Sequence, residues 1–192
     1  DFSMIDSETA REKYHLGKDV RDWQVRWAQE DVNSYRDESG KLDYSKITQV
    51  NYRPFDEKYT FYTGRSKGFQ CYPRYDVMKN MLFKGNIALC LNKVVKTGDT
   101  YQHCFVSDKP VDSCFVSNKT SEITYVFPLY SMIGNIRVPN LDNSIIKGIE
   151  QRIGSKCSDE NKVLNPMSIF AYVYAVLNTP TFRNKYVEFL KI

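Results

Sequence analysis

Three short clusters in this chain combine residue types that do chemistry. Asp56-Glu57-Lys58 holds the carboxylates and the amine of a metal-dependent nuclease site. Such a site needs one residue between its Glu and its Lys, so that both project from one face of a strand. Here the two are adjacent and diverge, which excludes them. His103-Cys104 joins a base to a thiol, but the chain has only 2 histidines, the other being His15, and no spacing of four ligands suits a metal. A Cys/His nucleophilic pair is poorly supplied for the same reason, and strand alternation turns one of two neighbours away. Asn165-Pro166-Met167-Ser168 has the outline of the Asn/Asp-Pro-Pro-aromatic tetrad that holds an extruded adenine, without its second proline or its aromatic residue. A helix cap followed by a proline at the first helical position explains it better. No Gly-x-Gly-x-x-Gly turn or phosphate loop occurs. Nothing here supports an active site within the chain.

The stretch with the clearest chemical character runs from Ile47 to Met81. It is dense in aromatic residues and threaded with Arg53, Lys58, Arg65, Lys67 and Arg74. Cations interleaved with aromatic rings suit a polyanion with exposed base edges, so nucleic acid is the first partner to test. The plainer reading is a hairpin whose aromatic residues are core and whose cations are merely solvated. Charge along the chain is uneven. Residues 1–45 carry 7 Lys/Arg against 11 Asp/Glu, residues 46–120 carry 12 against 6, and residues 121–192 carry 8 against 6. A polyanion should therefore meet the middle of the chain.

The elements that must position these residues follow from periodicity. Ser7 opens a helical stretch that Gly17 breaks. Asp19 is the expected N-cap of a second helix over Val20 to Ser34, with Trp23 and Trp27 four apart on one face as a packing anchor rather than a stacking platform. Arg36 to Lys41 is a loop. From Ile47 the period shifts toward two, with strands expected at 47–52, 58–63, 86–92, 100–106, 113–116 and 122–127. KVVKTGDT, residues 93–100, reads as a hairpin arm with cations near its tip, and Tyr75 to Phe83 as a short helix ended by Gly85. The end of the chain is helical again: Asn165-Pro166 starts a helix reaching Leu177, and Thr179-Pro180 starts another. Ile169, Phe170, Val173, Tyr174 and Leu177 give the first a broad apolar face that must be buried.

The expected fold class is α+β: a mostly antiparallel twisted sheet from the middle of the chain, flanked by N-terminal and C-terminal helices. One domain is expected over 1–192, with a helical lead-in over 1–45, a sheet with basic loops over 46–130 and a helical closing segment over 131–192. The 5 cysteines, Cys71, Cys90, Cys104, Cys114 and Cys157, are scattered without a CxxC pair, which suits reduced thiols acting mostly as small core residues. No apolar run approaches the roughly 20 residues of a membrane span, and nothing resembles a signal peptide. The chain opens on Asp1 rather than Met, and a piece of a longer protein is expected.

Several of these stretches together resemble a known family. Tyr52-Arg53-Pro54-Phe55-Asp56 with Tyr59, Phe61 and Tyr62 is similar to one of its signatures, and Pro73-Arg74 with Val77-Met78 and Met81 to the stretch that follows. The closing block IFAYVYAVLNTPTFRNKYVEFLKI and the Arg21-Asp22-Trp23 triplet have counterparts as well. Lys58-Tyr59 stands where the family has Arg-Trp, and Asn80 where it has His. The family is the C-terminal specificity segment of type ISP restriction–modification enzymes and related adenine methyltransferases, some of them in phage-defence systems.

The resemblance implies a target-recognition domain that reads duplex DNA and is not itself an enzyme. It implies a methyltransferase domain of the same polypeptide, placed upstream, that binds S-adenosylmethionine and methylates adenine at N6 after flipping it from the duplex. No cofactor or metal is expected in this segment, no membrane contact, and a cytoplasmic, bacterial or archaeal setting. Cations would contact phosphates, and a few loop side chains would read base edges in the major groove. Arg65 and Lys67 in the TGRSKG loop are the leading candidates, with Arg74 nearby. Lys93 and Lys96 come next, then Lys119; Gln102 and Asn118 are the amides suited to adenine. Tyr52, Arg53, Pro54, Phe55 and Asp56 read as a structural motif holding a turn. The competing reading is a protein- or RNA-interaction module that never reads duplex DNA. A third is an enzyme with an unrecognised site, for which methyl transfer by the segment alone would be the evidence, and none is expected.

Overall fold

The computed structural model describes residues 1–96, 101–119, 122–134 and 136–190. These divide into two units: residues 1–50 with 58–79, and residues 51–57 with 80–192. The architecture is α+β with antiparallel sheets.

In the first unit, α1 (Ser7–Tyr14) is capped by Asp6, whose carboxylate accepts from the backbone N–H groups of Glu8 and Thr9. It ends on His15 in the left-handed region at φ +52°. Helix α2 spans Val25–Asn33, five residues later than the periodicity places it. Its N-cap is Gln24 rather than the expected Asp19, although Asp19 Oδ1 accepts the Val25 N–H at 2.9 Å while pairing with Arg11. The intervening residues close a tight turn in which Val20 and Trp23 exchange backbone hydrogen bonds. That turn frees Trp23 and Asp22 to bond elsewhere, which a continuous helix would forbid. Strand β1 (Ile47–Arg53) pairs with β2 (Asp56–Phe61). After β2 an irregular segment leads to α3 (Tyr75–Met78), continued by a 3-10 turn over Lys79–Met81. Phe2, Tyr14, Tyr35, Phe61 and Phe69 form an aromatic cluster in edge-to-face contacts in this unit.

The second unit is built on a three-stranded antiparallel sheet, ordered β4 (Cys104–Ser107), β3 (Ala88–Asn92), β5 (Thr124–Pro128). Leu91 lies opposite Cys104 on one side and Tyr125 on the other. Helix α5 (Pro166–Asn178) covers one face, with Phe170, Tyr174 and Leu177 packed against Leu89, Val95, Tyr101 and Cys104. On the other face Phe115 packs edge-on to Phe105. Residues 113–116 therefore form no strand: their alternation reflects a turn whose Phe115 is buried while Val116 donates its N–H to Thr124 Oγ1. Three further elements lie in residues 130–153, and two of them are strands where the closing segment is expected to be helical. Strands β6 (Tyr130–Ile133) and β7 (Ile136–Pro139) make a hairpin, and α4 runs over Asn143–Ile153. Buried Asn86 ties the chain to β6, accepting from Tyr130 N–H and donating to its carbonyl, and Asn80 accepts from Met132 N–H. The expected second closing helix is split at Tyr186 into α6 (Pro180–Lys185) and α7 (Val187–Leu190). The expected hairpin tip at Gly98-Asp99 lies outside the described residues.

Asn165-Pro166-Met167-Ser168 is a capping box. The Asn165 side chain accepts from Ser168 N–H at 2.8 Å, and Ser168 Oγ accepts from Asn165 N–H at 3.0 Å. All five cysteines are free thiols. Burial pushes Cys90 up to about 12, so it stays a protonated core residue.

Candidate nucleic-acid interface

Residues 63–75 of the first unit leave β2 and reach α3 without regular structure, yet they are fixed at almost every turn. Thr63 Oγ1 and the Phe69 N–H both donate to Asp31 Oδ2, each at 2.8 Å. Asp31 is fully buried on α2, so one carboxylate oxygen closes both ends of the Thr63–Phe69 loop. Trp23 Nε1–H donates to the Phe69 carbonyl at 3.1 Å, and the Lys67 ammonium lies 5.4 Å from the centroid of Trp27. Trp23, Trp27 and Asp31 follow one another at intervals of four, and all three hold this loop. Further on, the Lys67 N–H donates to the Cys71 carbonyl and the Cys71 thiol to the Asp22 carbonyl, each at 3.0 Å. Buried Tyr62 donates its hydroxyl to the Pro73 carbonyl. Burial, then the neighbouring Tyr75, raises the Tyr62 phenol well above its usual range, which keeps it a donor.

Two glycines allow this closeness. A Cβ on Gly64, at φ +80°, would meet the Tyr75 ring at 2.3 Å; one on Gly68 would meet Asp31 Oδ2 at 2.3 Å. Lys67 and Arg74 sit in the left-handed region at φ +55° and +50°, which is uncommon for residues other than glycine. Two of the candidate cations thus occupy backbone conformations that the surrounding bonds enforce.

The charges on this loop are available. Arg65 and Lys67 are exposed and make no ion pair among the described residues, and neither does Arg74, whose guanidinium lies 5.8 Å from the Tyr72 ring centroid. Most other arginines differ: Arg11, Arg26, Arg36, Arg53 and Arg137 each face a carboxylate of their own.

In the second unit, a buried carboxylate again organises basic loops. Glu122 Oε1 accepts the Lys96 N–H at 2.6 Å, and Oε2 accepts the Ser117 hydroxyl with His103 Nε2 at 3.6 Å. Ser117 Oγ in turn accepts the Lys119 N–H at 3.2 Å, and Asn92 Nδ2 donates to the Glu122 carbonyl at 3.0 Å. The loops bearing Lys96 and Lys119 are therefore fastened to one carboxylate. Lys93, Lys96, Asn118 and Lys119 are exposed, as is Gln102, which already has a partner.

The Tyr52–Asp56 motif is wired differently, and its tip also belongs to the second unit. Arg53 pairs with Asp112 at 2.8 Å and stacks 3.9 Å from the centroid of Tyr52. Asn51 donates its N–H to the Pro110 carbonyl at 2.9 Å and its side chain to Ser107 Oγ at 2.7 Å. Pro54 and Phe55 make the turn, with Phe55 at φ +66° and its ring fully exposed. Sequence reasoning singles out neither Asp31 nor Glu122. The four-residue ladder from Trp23 through Trp27 continues to Asp31 and is the signal that could find it; Glu122 gives none.

Among the described residues no group of three or more His, Cys, Asp or Glu could hold a metal, and no helix is long and apolar enough to cross a membrane.

A family model described as the type ISP C-terminal specificity domain matches residues 1–192. No curated protein matches. Among solved structures, a chain described as "cryoEM structure DrdV-DNA complex" has a similar fold, with TM-score 0.59 and 21% identity. The match covers 79% of this chain and 14% of that one.

Proposed function

The chain belongs to the type ISP C-terminal specificity domain family, and from that premise we propose that it selects the duplex DNA sequence on which its parent enzyme acts. The observation that carries this reading is the 63–75 loop, where Arg65, Lys67 and Arg74 make no ion pair among the described residues and the backbone beneath them is pinned. A cation already paired with its own carboxylate gains little from a phosphate, whereas an unpaired one releases counterions from the duplex when it binds. The solved structure of similar fold is of a protein–DNA complex, which supports the same direction.

Arg65 is the base reader in this scheme. Its guanidinium carries a planar fork that matches the O6 and N7 acceptors of guanine in the major groove. Lys67 and Arg74 supply phosphate contacts that fix the register. Lys93, Lys96 and Lys119 form a second phosphate-contacting set, with Asn118 and Gln102 as amides suited to adenine edges.

The parent is proposed to be an adenine-N6 methyltransferase of a restriction–modification system. S-adenosylmethionine would bind a different domain of the same polypeptide, because residues 1–192 hold no Gly-rich cofactor turn that fits it. That cofactor would supply the methyl group; the residues of this chain would bind and orient the duplex. Residues 163–182 carry no charged side chain, and within them Tyr172 is 71% exposed on α5. An uncharged outer helix face of this kind suits docking against another domain.

Exchanging residues 1–192 into a related enzyme, followed by mapping of methylated adenines, tests the reading. The methylation pattern should move with the segment. A pattern that stays with the recipient enzyme would contradict it.

A further inference from the structure

We propose that Asp31 is a positioning residue for sequence readout, acting through the Thr63–Phe69 loop; this rests on the reading of that loop as a DNA contact. The carboxylate is completely buried, and a buried charge opposes folding unless its partners repay its desolvation. Its partners are few. Oδ2 takes the Thr63 hydroxyl and the Phe69 N–H, while Oδ1 accepts no hydrogen bond among the described residues. For holding a loop to a helix, a neutral amide would serve at smaller desolvation cost. What the carboxylate adds is strength, because hydrogen bonds to an ionised acceptor are shorter and roughly twice as strong as neutral ones.

That strength is applied at the two ends of the segment carrying Arg65 and Lys67. The loop is packed so closely on Asp31 that Gly68 has no room for a Cβ. Trp23, in the turn that precedes α2, and Trp27, one helical turn before Asp31, hold Phe69 and Lys67. A loop fixed this way reaches DNA with its ordering entropy already lost, and so gains most in the complex that demands one geometry. Non-specific phosphate contact tolerates many loop geometries and needs only the charges, which Asp31 does not supply. Asp31 should therefore govern discrimination between sequences and leave general DNA affinity alone. A residue that served folding alone would do the reverse.

The experiment uses the whole polypeptide that carries residues 1–192, as wild type, Asp31→Asn and Arg65→Ala. Each is used to select duplexes from a pool with a randomised core, and each is titrated against a mixed-sequence duplex over a salt series. Asp31→Asn keeps an oxygen for both donors and removes the charge. It should retain wild-type thermal stability or exceed it, and keep the salt dependence on the mixed duplex. Affinity for the duplex selected by the wild type should fall roughly tenfold, the scale set by a single pre-ordered side chain. The selected motif should blur at the positions that Arg65→Ala also blurs. If Arg65→Ala blurs the motif and Asp31→Asn selects the wild-type motif with wild-type affinity, the role of Asp31 is overturned alone. If Arg65→Ala also selects the wild-type motif, the loop's DNA reading fails with it. Should Asp31→Asn not fold, Gly68→Ala, which presses a methyl group against Asp31 Oδ2, takes its place; it should lose thermal stability, and its selected motif and its affinity for the wild-type duplex decide the outcome as they do for Asp31→Asn.

Discussion

Arg53 and Arg65 stand twelve positions apart, each in a stretch rich in tyrosine and phenylalanine, and the fold treats them oppositely. At the hairpin tip, Arg53 is neutralised by Asp112, and nearby Lys109 faces both Glu57 and Asp108. In residues 63–75, Arg65, Lys67 and Arg74 make no ion pair among the described residues; buried Asp31 bonds the loop's backbone and Thr63. In the first stretch charge stabilises the chain, and in the second it is left free while the chain is stabilised by other means. A count of cations cannot separate the two. Where each carboxylate points does.

The sharpest way to break this contrast is to disturb the loop's backbone without touching its charges. Gly64→Ala adds a Cβ that meets the Tyr75 ring at φ +80°, where left-handed strain costs about 1–2 kcal/mol and overpacking about 1–3 more. Chemical denaturation should show a destabilisation of about 3 kcal/mol in all, and DNA affinity should fall although every cation remains. Arg65→Ala comes next. It should leave the denaturation midpoint unchanged and weaken binding to the preferred sequence by about 1–3 kcal/mol in a direct titration. Arg53→Ala should behave in the opposite way, destabilising the fold by about 1 kcal/mol, since the pair is only partly buried, with DNA affinity unchanged. Phe55→Ser should change neither by more than about 0.5 kcal/mol, because an exposed ring packs nothing in the folded chain.

The smallest effect is one of pH. Burial raises the phenols of Tyr62, Tyr101 and Tyr130, the latter two to about 12. A phenol whose folded pKa lies above its unfolded value near 10 stabilises the fold fully below about pH 10 and ceases to do so as pH climbs through the folded value. Thermal midpoints should be flat from neutral pH to about 10 and decline above it. Tyr62→Phe should flatten part of that decline.

Much of the fold is legible in the sequence because its signals are local. Asn165-Pro166 acts where a cap is expected and the period-two runs correspond to β1, β3 and β5, whereas the helical stretch from Tyr75 stops at Met81, short of Gly85. Asp142 and Gly154 bracket α4 with an equally good cap and stop, and Gly134 marks the β6–β7 turn, so those elements carry local signals that periodicity alone does not weigh. The late start of α2 is not legible. It depends on Trp23 reaching the Phe69 carbonyl, 46 positions away. The cations of the candidate interface are legible by type, and their freedom is not. Whether an arginine is paired depends on partners such as Asp112, 59 positions from Arg53. Asp31 and Glu122 are hidden for the same reason: buried carboxylates serving distant loops look, in a sequence, like any surface acid.

The salt dependence of duplex binding is the most direct measurement of the central claim. Log affinity is plotted against log salt for the wild type, for Arg65→Ala with Lys67→Ala, and for Arg53→Ala. Removing a cation that sits on a phosphate should make the slope shallower by about one. The double variant should therefore flatten, while Arg53→Ala should lie parallel to the wild type. A double variant parallel to the wild type, or an Arg53→Ala line as flat as the double variant's, would contradict the account.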